Sequence, residues 1–307
     1  MGKIAFVFPG QGAQVTGMGK DFFEQYDEAK EVFEIASKAS GLEVDKLCFT
    51  ENDQLNITEY TQIAMLACEV AILKVCEKKG LLADCCAGLS LGEYGALAAA
   101  NVMDLSDLFY LIRQRGIYMQ KAYPEGGAMT AVLGAEQSLV EDICKNTEGI
   151  VSVANYNCPG QIVITGEKEA VDAAAAKLAE AGAKRCIPLN VSGPFHCELL
   201  NSAKEKLADC LESIEVRNPQ IPYYCNVEAV KVTDNTRIKE LLANQVVASV
   251  RWQQCVEQML ADGVDTFIEI GPGKTLSGFM KKINKEVKSY NIATVEALEG
   301  VLEELSC

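Results

Sequence analysis

A Gly-Leu-Ser-Leu-Gly segment at residues 88–92 is the part of the sequence best suited to covalent chemistry. It matches the G-x-S-x-G pattern, in which a serine lies on a sharp turn between a strand and a helix. Such a turn is called a nucleophile elbow, and residues 88–92 would be the elbow of this chain. A short, mostly apolar run precedes it at residues 81–87, and helix-forming residues follow at 93–100. Glycines permit the turn, and Ser90 would stand at a helix N-terminus, where free N–H groups favour an anion. The segment predicts a nucleophilic serine; a chance match in an ordinary loop is the alternative.

A serine hydroxyl is a weak nucleophile without a base close to it, and His196 is the only histidine in the chain. An imidazole with an ordinary pKa of about 6.5 accepts a proton near neutral pH and returns it in the next step. His196 follows the loop residues 192–195 and lies downstream of Ser90, which is the order found in hydrolase-type elbows. These features favour a base over a structural histidine. The neighbouring Cys197 is a weaker candidate nucleophile, because adjacent residues rarely face one another.

A tetrahedral intermediate would need two hydrogen-bond donors for its oxygen. The elbow supplies the backbone N–H of Leu91. The glycine-rich loop Pro-Gly-Gln-Gly at residues 9–12 ends the first strand-like run and could present the N–H of Gln11. A dinucleotide-binding loop is the competing interpretation, but Val15 replaces the third glycine of that motif. The loop is therefore predicted to complete an oxyanion hole.

The composition restricts the class of protein. The chain has 307 residues, 49% of them hydrophobic, which is typical of a globular protein with one large domain or a large domain with an insert. Its formal net charge of −15 disfavours nucleic acid as a partner, because phosphate binding needs a basic surface. No signal-peptide pattern and no apolar stretch of membrane-spanning length are evident, so we expect a cytoplasmic protein without a membrane segment. The oligomeric state stays open, and a monomer is compatible with the sequence.

The thirteen cysteines are expected to be reduced thiols, because their number is odd and no secretory segment is evident. The chain has no C-x-x-C pair and a single histidine, so the usual ligand patterns of a zinc site are missing. We therefore expect no bound metal, and we expect most cysteines to pack as small apolar residues.

Alternating strand-like and helix-like segments predict an α/β fold. Residues 1–126 and 197–307 would form a large α/β-hydrolase-like domain with a parallel sheet, which contains the elbow. Residues 127–196 follow the order β-α-β-β-α-β, which is typical of a ferredoxin-like subdomain. We predict that this subdomain is inserted into the large domain, in which a further strand is expected at 223–227. The expected strands of the subdomain are 128–133, 150–155, 161–165 and 185–189, and its expected helices are 137–146 and 168–181.

Several longer motifs occur in a fixed order along the chain, and together they closely resemble the malonyl-CoA:acyl carrier protein transacylase family of type II fatty acid synthesis. The resemblance covers essentially the whole chain and is more specific than any single motif. The motifs are Phe-Pro-Gly-Gln-Gly-Ala-Gln at 8–14, Gly-Leu-Ser-Leu-Gly-Glu-Tyr at 88–94, Gln-Arg-Gly at 114–116, Gly-Gln-Ile-Val-Ile-Thr-Gly at 160–166, Gly-Pro-Phe-His at 193–196 and Gly-Pro-Gly-Lys at 271–274.

The resemblance implies a role for each candidate residue. Ser90 would be the acylated nucleophile, and His196 would act first as general base and then as acid. Gln11 and Leu91 would donate their backbone N–H groups to the oxyanion. Gln245 would orient the histidine through its backbone carbonyl, in place of the aspartate of a triad.

Arg115 would hold the free carboxylate of the malonyl group. A guanidinium binds a carboxylate by two parallel charge-assisted bonds, so this chemistry also follows from the residue type. An arginine on a solvated helix face is the alternative, and we expect Arg113 to be one. Phe195, in the loop before the histidine, implies a preference for malonyl over branched acyl groups.

The resemblance implies ping-pong transfer of malonyl from malonyl-CoA to the phosphopantetheine thiol of acyl carrier protein, with no bound cofactor and no metal. The carrier proteins of such pathways are acidic, so docking would need a basic patch. Residues 184–185, 281–282 and 285 are candidates. Alternatives are an acyltransferase of a polyketide assembly line, a serine hydrolase or thioesterase with the same elbow, and a non-catalytic docking protein.

Overall fold

Two separate β-sheets organise the chain in the computed structural model, which describes residues 2–191 and 193–306. Together the sheets contain β1 (Lys3–Phe8), β2 (Cys85–Gly88), β3 (Gly127–Leu133), β4 (Val151–Cys158), β5 (Gln161–Glu167), β6 (Arg185–Pro188), β7 (Tyr223–Tyr224), β8 (Lys231–Val232), β9 (Val264–Ile270) and β10 (Lys288–Ile292).

The helices surround and connect these sheets. In chain order they are α1 (Lys20–Gln25), α2 (Asp27–Ser40), α3 (Val44–Phe49), α4 (Thr58–Lys78), α5 (Gly92–Ala99), α6 (Leu105–Ala122), α7 (Gln137–Lys145), α8 (Lys168–Glu180), α9 (Asn201–Glu212), α10 (Ile238–Gln245), α11 (Trp252–Ala261), α12 (Thr275–Ile283) and α13 (Val295–Ser306). A 3₁₀ turn, Glu198–Leu200, precedes α9. No helix in the described part of the chain is both long enough and apolar enough to cross a bilayer.

The larger sheet has the strand order β10-β9-β1-β2-β7-β8. Adjacent strands of this sheet pair in parallel, except for β7 and β8, which pair in antiparallel orientation. The prediction of a parallel sheet is therefore confirmed. Phe8 on β1 is in register with Gly88 on β2. Because parallel strands end at the same edge of a sheet, the loop after β1 and the elbow after β2 lie side by side.

The smaller sheet is antiparallel and has the order β4-β5-β3-β6, with α7 and α8 packed against it. Its chain order is strand, helix, strand, strand, helix, strand. Val140, Val171 and Leu178 from the two helices form a core with Ile164 of the sheet. Met129 and other apolar residues of the sheet instead join the main core, so the two sheets are packed into one molecule.

Two segments differ from the sequence-based expectation. The strand predicted at 223–227 ends at Tyr224, because a turn closed by a bond from the Cys225 N–H to the Val230 carbonyl follows at once. The strand predicted at 150–155 runs on to Cys158, and register shifts on β4 let it continue through its polar residues. The end of β7 belongs to the carboxyl edge of the larger sheet, and Asn155 and Asn157 of β4 line the cavity of the candidate site.

Candidate functional site

The predicted elbow is present between β2 and α5. Ser90 has a φ of +54°, a left-handed conformation that a residue with a side chain adopts at some cost in energy. A Cβ atom on Gly88 would lie 1.9 Å from the carbonyl carbon of Gly92, and one on Gly92 would lie 2.1 Å from the Phe8 oxygen. The turn is therefore closed to any residue larger than glycine at these two positions.

Ser90 and His196, which are 106 residues apart, are brought into direct contact. The serine Oγ lies 2.7 Å from Nε2 of the histidine, and Nδ1 lies 2.9 Å from the backbone oxygen of Gln245. A carbonyl only accepts hydrogen bonds, so Nδ1 carries the proton of the neutral ring and donates it to Gln245. The lone pair on Nε2 then faces the serine hydroxyl, which is the arrangement a general base requires.

The histidine is poised in its neutral form. His196 is buried, and burial together with the charge of Arg115 lowers its pKa to about 4, although the bond to Gln245 acts in the opposite direction. A base that is already neutral at physiological pH can accept the serine proton without first losing one of its own.

Arg115, on α6, reaches the same serine oxygen from another side. Its Nη2 lies 3.2 Å from Ser90 Oγ and 2.9 Å from Oε1 of Gln245, and Nη1 donates to Oε1 of Gln62 at 2.8 Å. The side chain is 1% exposed, and within residues 2–191 and 193–306 it forms no ion pair. The ring of Tyr94 lies 5.5 Å from the guanidinium. A buried cation with neutral partners is suited to receive an anionic group of a ligand.

The expectation that Arg113 lies on a solvated face is wrong. Its side chain is only 12% exposed, forms an ion pair with Glu59 at 3.0 Å and stacks over the ring of Tyr60. It lies two residues from Arg115 and therefore points away from the serine, but α4 packs against that face of α6 and covers it.

The backbone amides of Gln11 and Leu91 do not donate to any acceptor among the residues that the structure describes. The loop that carries Gln11 runs directly against the elbow, since a Cβ on Gly10 would lie 2.7 Å from the Leu89 oxygen. The Gln11 side chain is held by a 3.1 Å bond from Nε2 to the Thr58 hydroxyl. The loop and the elbow are therefore in contact, with both amides unpartnered within the described residues.

A cavity of about 270 Å³ leads to Ser90 and His196. Its walls are largely apolar and come from the smaller sheet, from the loops after β1 and β2 and from α12, so it can hold an extended, uncharged chain next to the serine. The lining residues include Gln11, Met129, Ala131, Asn155, Asn157, Val163, Phe195, Leu276 and Phe279. No group of three or more potential metal ligands occurs in the part of the chain that is described.

Three polar residues in the hydrogen-bond network around Ser90, Arg115 and Gln245 were missed at the sequence level: Gln62, Glu93 and Asn226. All are buried and hydrogen-bonded to Arg115, Gln245 or the elbow itself. Glu93 directly follows the elbow pattern, which is a usable signal. Gln62 and Asn226 are distant in sequence and carry no local motif.

Comparisons with known proteins agree with the resemblance seen in the motifs. The family model described as "Acyl transferase domain" matches residues 5–299. The malonyl CoA-acyl carrier protein transacylase of Bacillus subtilis (strain 168) is 42% identical over 310 residues, covering 99% of this chain and 98% of the relative. The crystal structure of the transacylase of that name from Clostridium perfringens has a TM-score of 0.96 at 44% identity, covering 99% of this chain and 97% of that one.

A second solved structure is a complex, described as a type II PKS acyl-carrier protein with its malonyl-transacylase. It has a TM-score of 0.95 and 40% identity, and the match covers 98% of this chain and 99% of the other. These matches confirm the family resemblance inferred from the motifs, and they extend over nearly the full length of each protein.

Proposed function

We infer, because this chain belongs to the acyl transferase family, that it moves a malonyl group from malonyl-CoA to the phosphopantetheine thiol of an acyl carrier protein. The relatives named as malonyl CoA-acyl carrier protein transacylases support this substrate pair. In this chain the supporting observation is the position of Arg115, whose buried guanidinium lies 3.2 Å from the Ser90 hydroxyl oxygen. A cation at that distance can bind the free carboxylate of malonyl while its thioester carbon faces the serine.

In the first half-reaction, His196 Nε2 takes the Ser90 proton while Oγ forms a bond to the thioester carbonyl carbon. The carbonyl oxygen becomes an oxyanion and accepts hydrogen bonds from the Gln11 and Leu91 amides. The carbon–sulfur bond then breaks, and the histidine returns the proton to the departing thiolate of coenzyme A. The product is a malonyl-serine ester.

In the second half-reaction, the phosphopantetheine thiol gives its proton to His196 and its sulfur attacks the ester carbon. The bond from this carbon to Ser90 Oγ breaks, and the serine regains a proton from the histidine. The apolar cavity wall, which includes Leu276 and Phe279, favours the thiol arm over water as second nucleophile. We accordingly propose a transferase and not a thioesterase.

Transfer to the carrier protein of a polyketide pathway is a second candidate for the acceptor. It is supported by the solved complex of a type II PKS carrier protein with its malonyl-transacylase, which matches this chain at a TM-score of 0.95. The chemistry at Ser90 is the same in both cases, and only the carrier protein differs. We place the reaction in the cytoplasm and propose no bound cofactor or metal.

Mass spectrometry of the enzyme mixed with malonyl-CoA tests the proposal. We expect the enzyme to gain one malonyl group, and Ser90→Ala to gain none. Addition of holo carrier protein should then move the group to the carrier. Rapid release of free malonate without loading of the carrier would instead identify a hydrolase, and the absence of an adduct on the unmodified enzyme would contradict the mechanism.

We also propose that residues 127–196 form a ferredoxin-like subdomain inserted into an α/β-hydrolase-like domain made of residues 1–126 and 197–307. The element order of the smaller unit and its sheet order β4-β5-β3-β6 support this division. The cavity lies between the two units, so the subdomain would form one wall of the substrate channel.

The acidic carrier protein would dock on a basic patch at the mouth of this channel. Lys281 and Lys282, near the end of α12, are the best placed of the candidates. Lys282 Nζ donates to Oε1 of Gln161, which itself lines the cavity, at 3.2 Å. Lys184 and Arg185 at the start of β6 would extend the patch along the subdomain.

A further inference from the structure

The Asn226 side chain holds the elbow at two backbone groups that flank Leu89. Its Oδ1 accepts a hydrogen bond from the Ser90 N–H, and its Nδ2 donates one to the Gly88 carbonyl, each at 2.7 Å. Asn226 is fully buried, so its side-chain amide has no water as an alternative partner and depends on these two bonds. One amide side chain therefore satisfies a donor and an acceptor of the strained turn.

Asn226 is itself fixed by its own backbone. It lies two residues beyond β7, where its N–H donates to Oε2 of Glu93 at 3.0 Å and its carbonyl accepts from the Arg251 N–H at 3.0 Å. These two bonds come from different elements, the first turn of α5 and the residue before α11. The side chain is consequently presented to the elbow in one orientation.

The two hydrogen bonds from the Asn226 side chain to the elbow form a clamp. Glu93 connects this clamp to the histidine. Its Oε2, which accepts from Asn226, also accepts from Nε2 of Gln245 at 2.7 Å. The same Nε2 donates to the Ser90 carbonyl at 2.9 Å, and the Gln245 backbone oxygen is the acceptor for His196. A single buried carboxyl oxygen thus bridges the residue that holds the nucleophile and the residue that holds the base.

We propose that Asn226 is a positioning residue, which fixes the backbone of Ser90 and, through Glu93 and Gln245, aligns the serine with His196. This inference rests on the proposed transfer mechanism. Because the Ser90 N–H is engaged by Asn226, the Leu91 N–H is the elbow amide left to bind the oxyanion. Without the clamp, the left-handed peptide can rotate, and the 2.7 Å contact between Ser90 and His196 is lost.

Two substitutions separate the parts of the clamp. Asn226→Leu has a similar size and removes both bonds, whereas Asn226→Asp keeps an acceptor for the Ser90 N–H but turns an oxygen towards the Gly88 carbonyl. Rapid-quench measurements with malonyl-CoA give the rate constant of malonyl-enzyme formation and the Kd separately. We expect the rate to fall by about 100-fold in Asn226→Leu and by less in Asn226→Asp, because misplaced reacting groups cost rates of this order. The Kd should change less than about two-fold, since Arg115 and the cavity are intact.

Asn52→Leu is the matched control. Asn52 also holds a turn, accepting from the Gln54 and Leu55 N–H groups and donating to the Leu47 carbonyl, but it does not line the cavity. It should lower the thermal midpoint while leaving the acylation rate of the folded enzyme unchanged. A folded Asn226→Leu enzyme that acylates at the unmodified rate would overturn the inference. A loss of acylation rate that is fully explained by the fraction of unfolded Asn226→Leu protein would also overturn the inference.

A fluorophosphonate probe keeps this test independent of the proposed substrate, because it reports the reactivity of Ser90 without malonyl-CoA. Slower labelling of folded Asn226→Leu than of the unmodified enzyme supports the positioning role, even in the event that no malonyl adduct forms. Equal labelling rates contradict it. Failure of malonyl transfer and failure of the clamp are thereby distinguished.

Discussion

The Nη2 atom of Arg115 lies 3.2 Å from the Ser90 hydroxyl oxygen, so the cation contacts the same oxygen that His196 is placed to deprotonate. This contact has two consequences in the free enzyme. The positive charge stabilises negative charge on the nucleophile, and it also lowers the pKa of the histidine. Binding of a malonyl carboxylate would neutralise that charge, so substrate recognition and the strength of the base are linked at one residue.

Removal of the cation should therefore discriminate between acyl groups. We expect Arg115→Ala to lower kcat/KM for malonyl transfer by about 100- to 10,000-fold, because a buried carboxylate would lose its bidentate partner. Acetyl transfer, which uses no carboxylate, should fall by much less. The measurement is carrier-protein loading from malonyl-CoA and acetyl-CoA in parallel.

Arg113→Ala is the matched control, since Arg113 lies on the same helix but pairs with Glu59 away from the serine. It should leave the malonyl-to-acetyl ratio unchanged. Equal losses of malonyl and acetyl transfer in Arg115→Ala would contradict the carboxylate-binding role.

The pH dependence of acylation should reflect the shifted histidine. His196 acts as base only when neutral, and burial together with the charge of Arg115 lowers its pKa to about 4. We expect kcat/KM for malonyl-enzyme formation to stay level from about pH 8 to about pH 5 and to fall only below that. Because bound malonyl would offset the charge of Arg115, the acid limb of kcat should lie at higher pH than that of kcat/KM. An acid limb of kcat/KM near the ordinary value for histidine would refute this electrostatic account.

Glu93 and His196 should each make the free energy of unfolding depend on pH, and the two contributions should change in opposite directions as the pH rises. Burial raises the pKa of Glu93 to about 7, although bonds from Gln245 and Asn226 act against the shift. The raised pKa contributes stability that is complete below the ordinary range of a glutamate and is lost as the pH rises through about 7. The lowered pKa of His196 instead contributes a destabilisation that grows as the pH falls towards about 4.

Glu93→Gln removes the pH-dependent contribution of Glu93 to the stability and keeps an acceptor for Asn226 and Gln245. The free energy of unfolding of the variant, relative to that of the unmodified protein, should rise by about 3 kcal/mol between about pH 4.5 and pH 8.5. Denaturant unfolding at several pH values measures this difference. A difference that does not change with pH would show that Glu93 has the same protonation state in the folded and unfolded chains.

The predicted parts of the site are those with a local signature. The elbow needs glycines at fixed offsets from Ser90, and a single histidine left only one candidate base, so both residues could be proposed from sequence alone, and the structure brings them into contact. The loop at Gln11 was found because glycines directly follow an apolar run. In each case the pattern behind the prediction lies within a few neighbouring residues.

The missed parts depend on which strands become neighbours. Asn226 contacts Ser90 only because β7 pairs with β2 in the larger sheet, and nothing in the residues around 226 specifies that pairing. Asn226 lies within 223–227, the segment predicted to be a strand. Because β7 ends at Tyr224, Asn226 lies in the turn that follows, where its side chain holds the elbow. The environment of Arg113 was misjudged for a similar reason, because helix periodicity gives the direction of a side chain but not the helix that covers it.

The elbow glycines provide a test of the geometry that is independent of catalysis. Gly88→Ala would bring a Cβ within 1.9 Å of the Gly92 carbonyl carbon, which requires the backbone to move. We expect a loss of about 3 kcal/mol or more in unfolding free energy, or no folded protein, as for other severe overpacking. Gly300→Ala on α13 is the control, because a Cβ there meets no atom within 4 Å. It should stabilise the protein by about 0.5–1 kcal/mol, since alanine favours helix over glycine. A well-folded, fully active Gly88→Ala protein would contradict the turn described here.

Charge reversal near the cavity mouth tests the proposed docking patch. The double variant Lys281→Glu and Lys282→Glu should raise the KM for holo carrier protein by about ten-fold or more at low salt, because rim charges mainly control association. The rate of malonyl-enzyme formation should not change, since neither side chain lines the cavity. The effect should shrink as the ionic strength rises and the attraction is screened. Lys20→Glu and Lys30→Glu, on α1 and α2, reverse two exposed charges outside the patch and form the control. If both double variants raise the KM equally, the carrier protein responds to the overall negative charge of the enzyme and not to this patch.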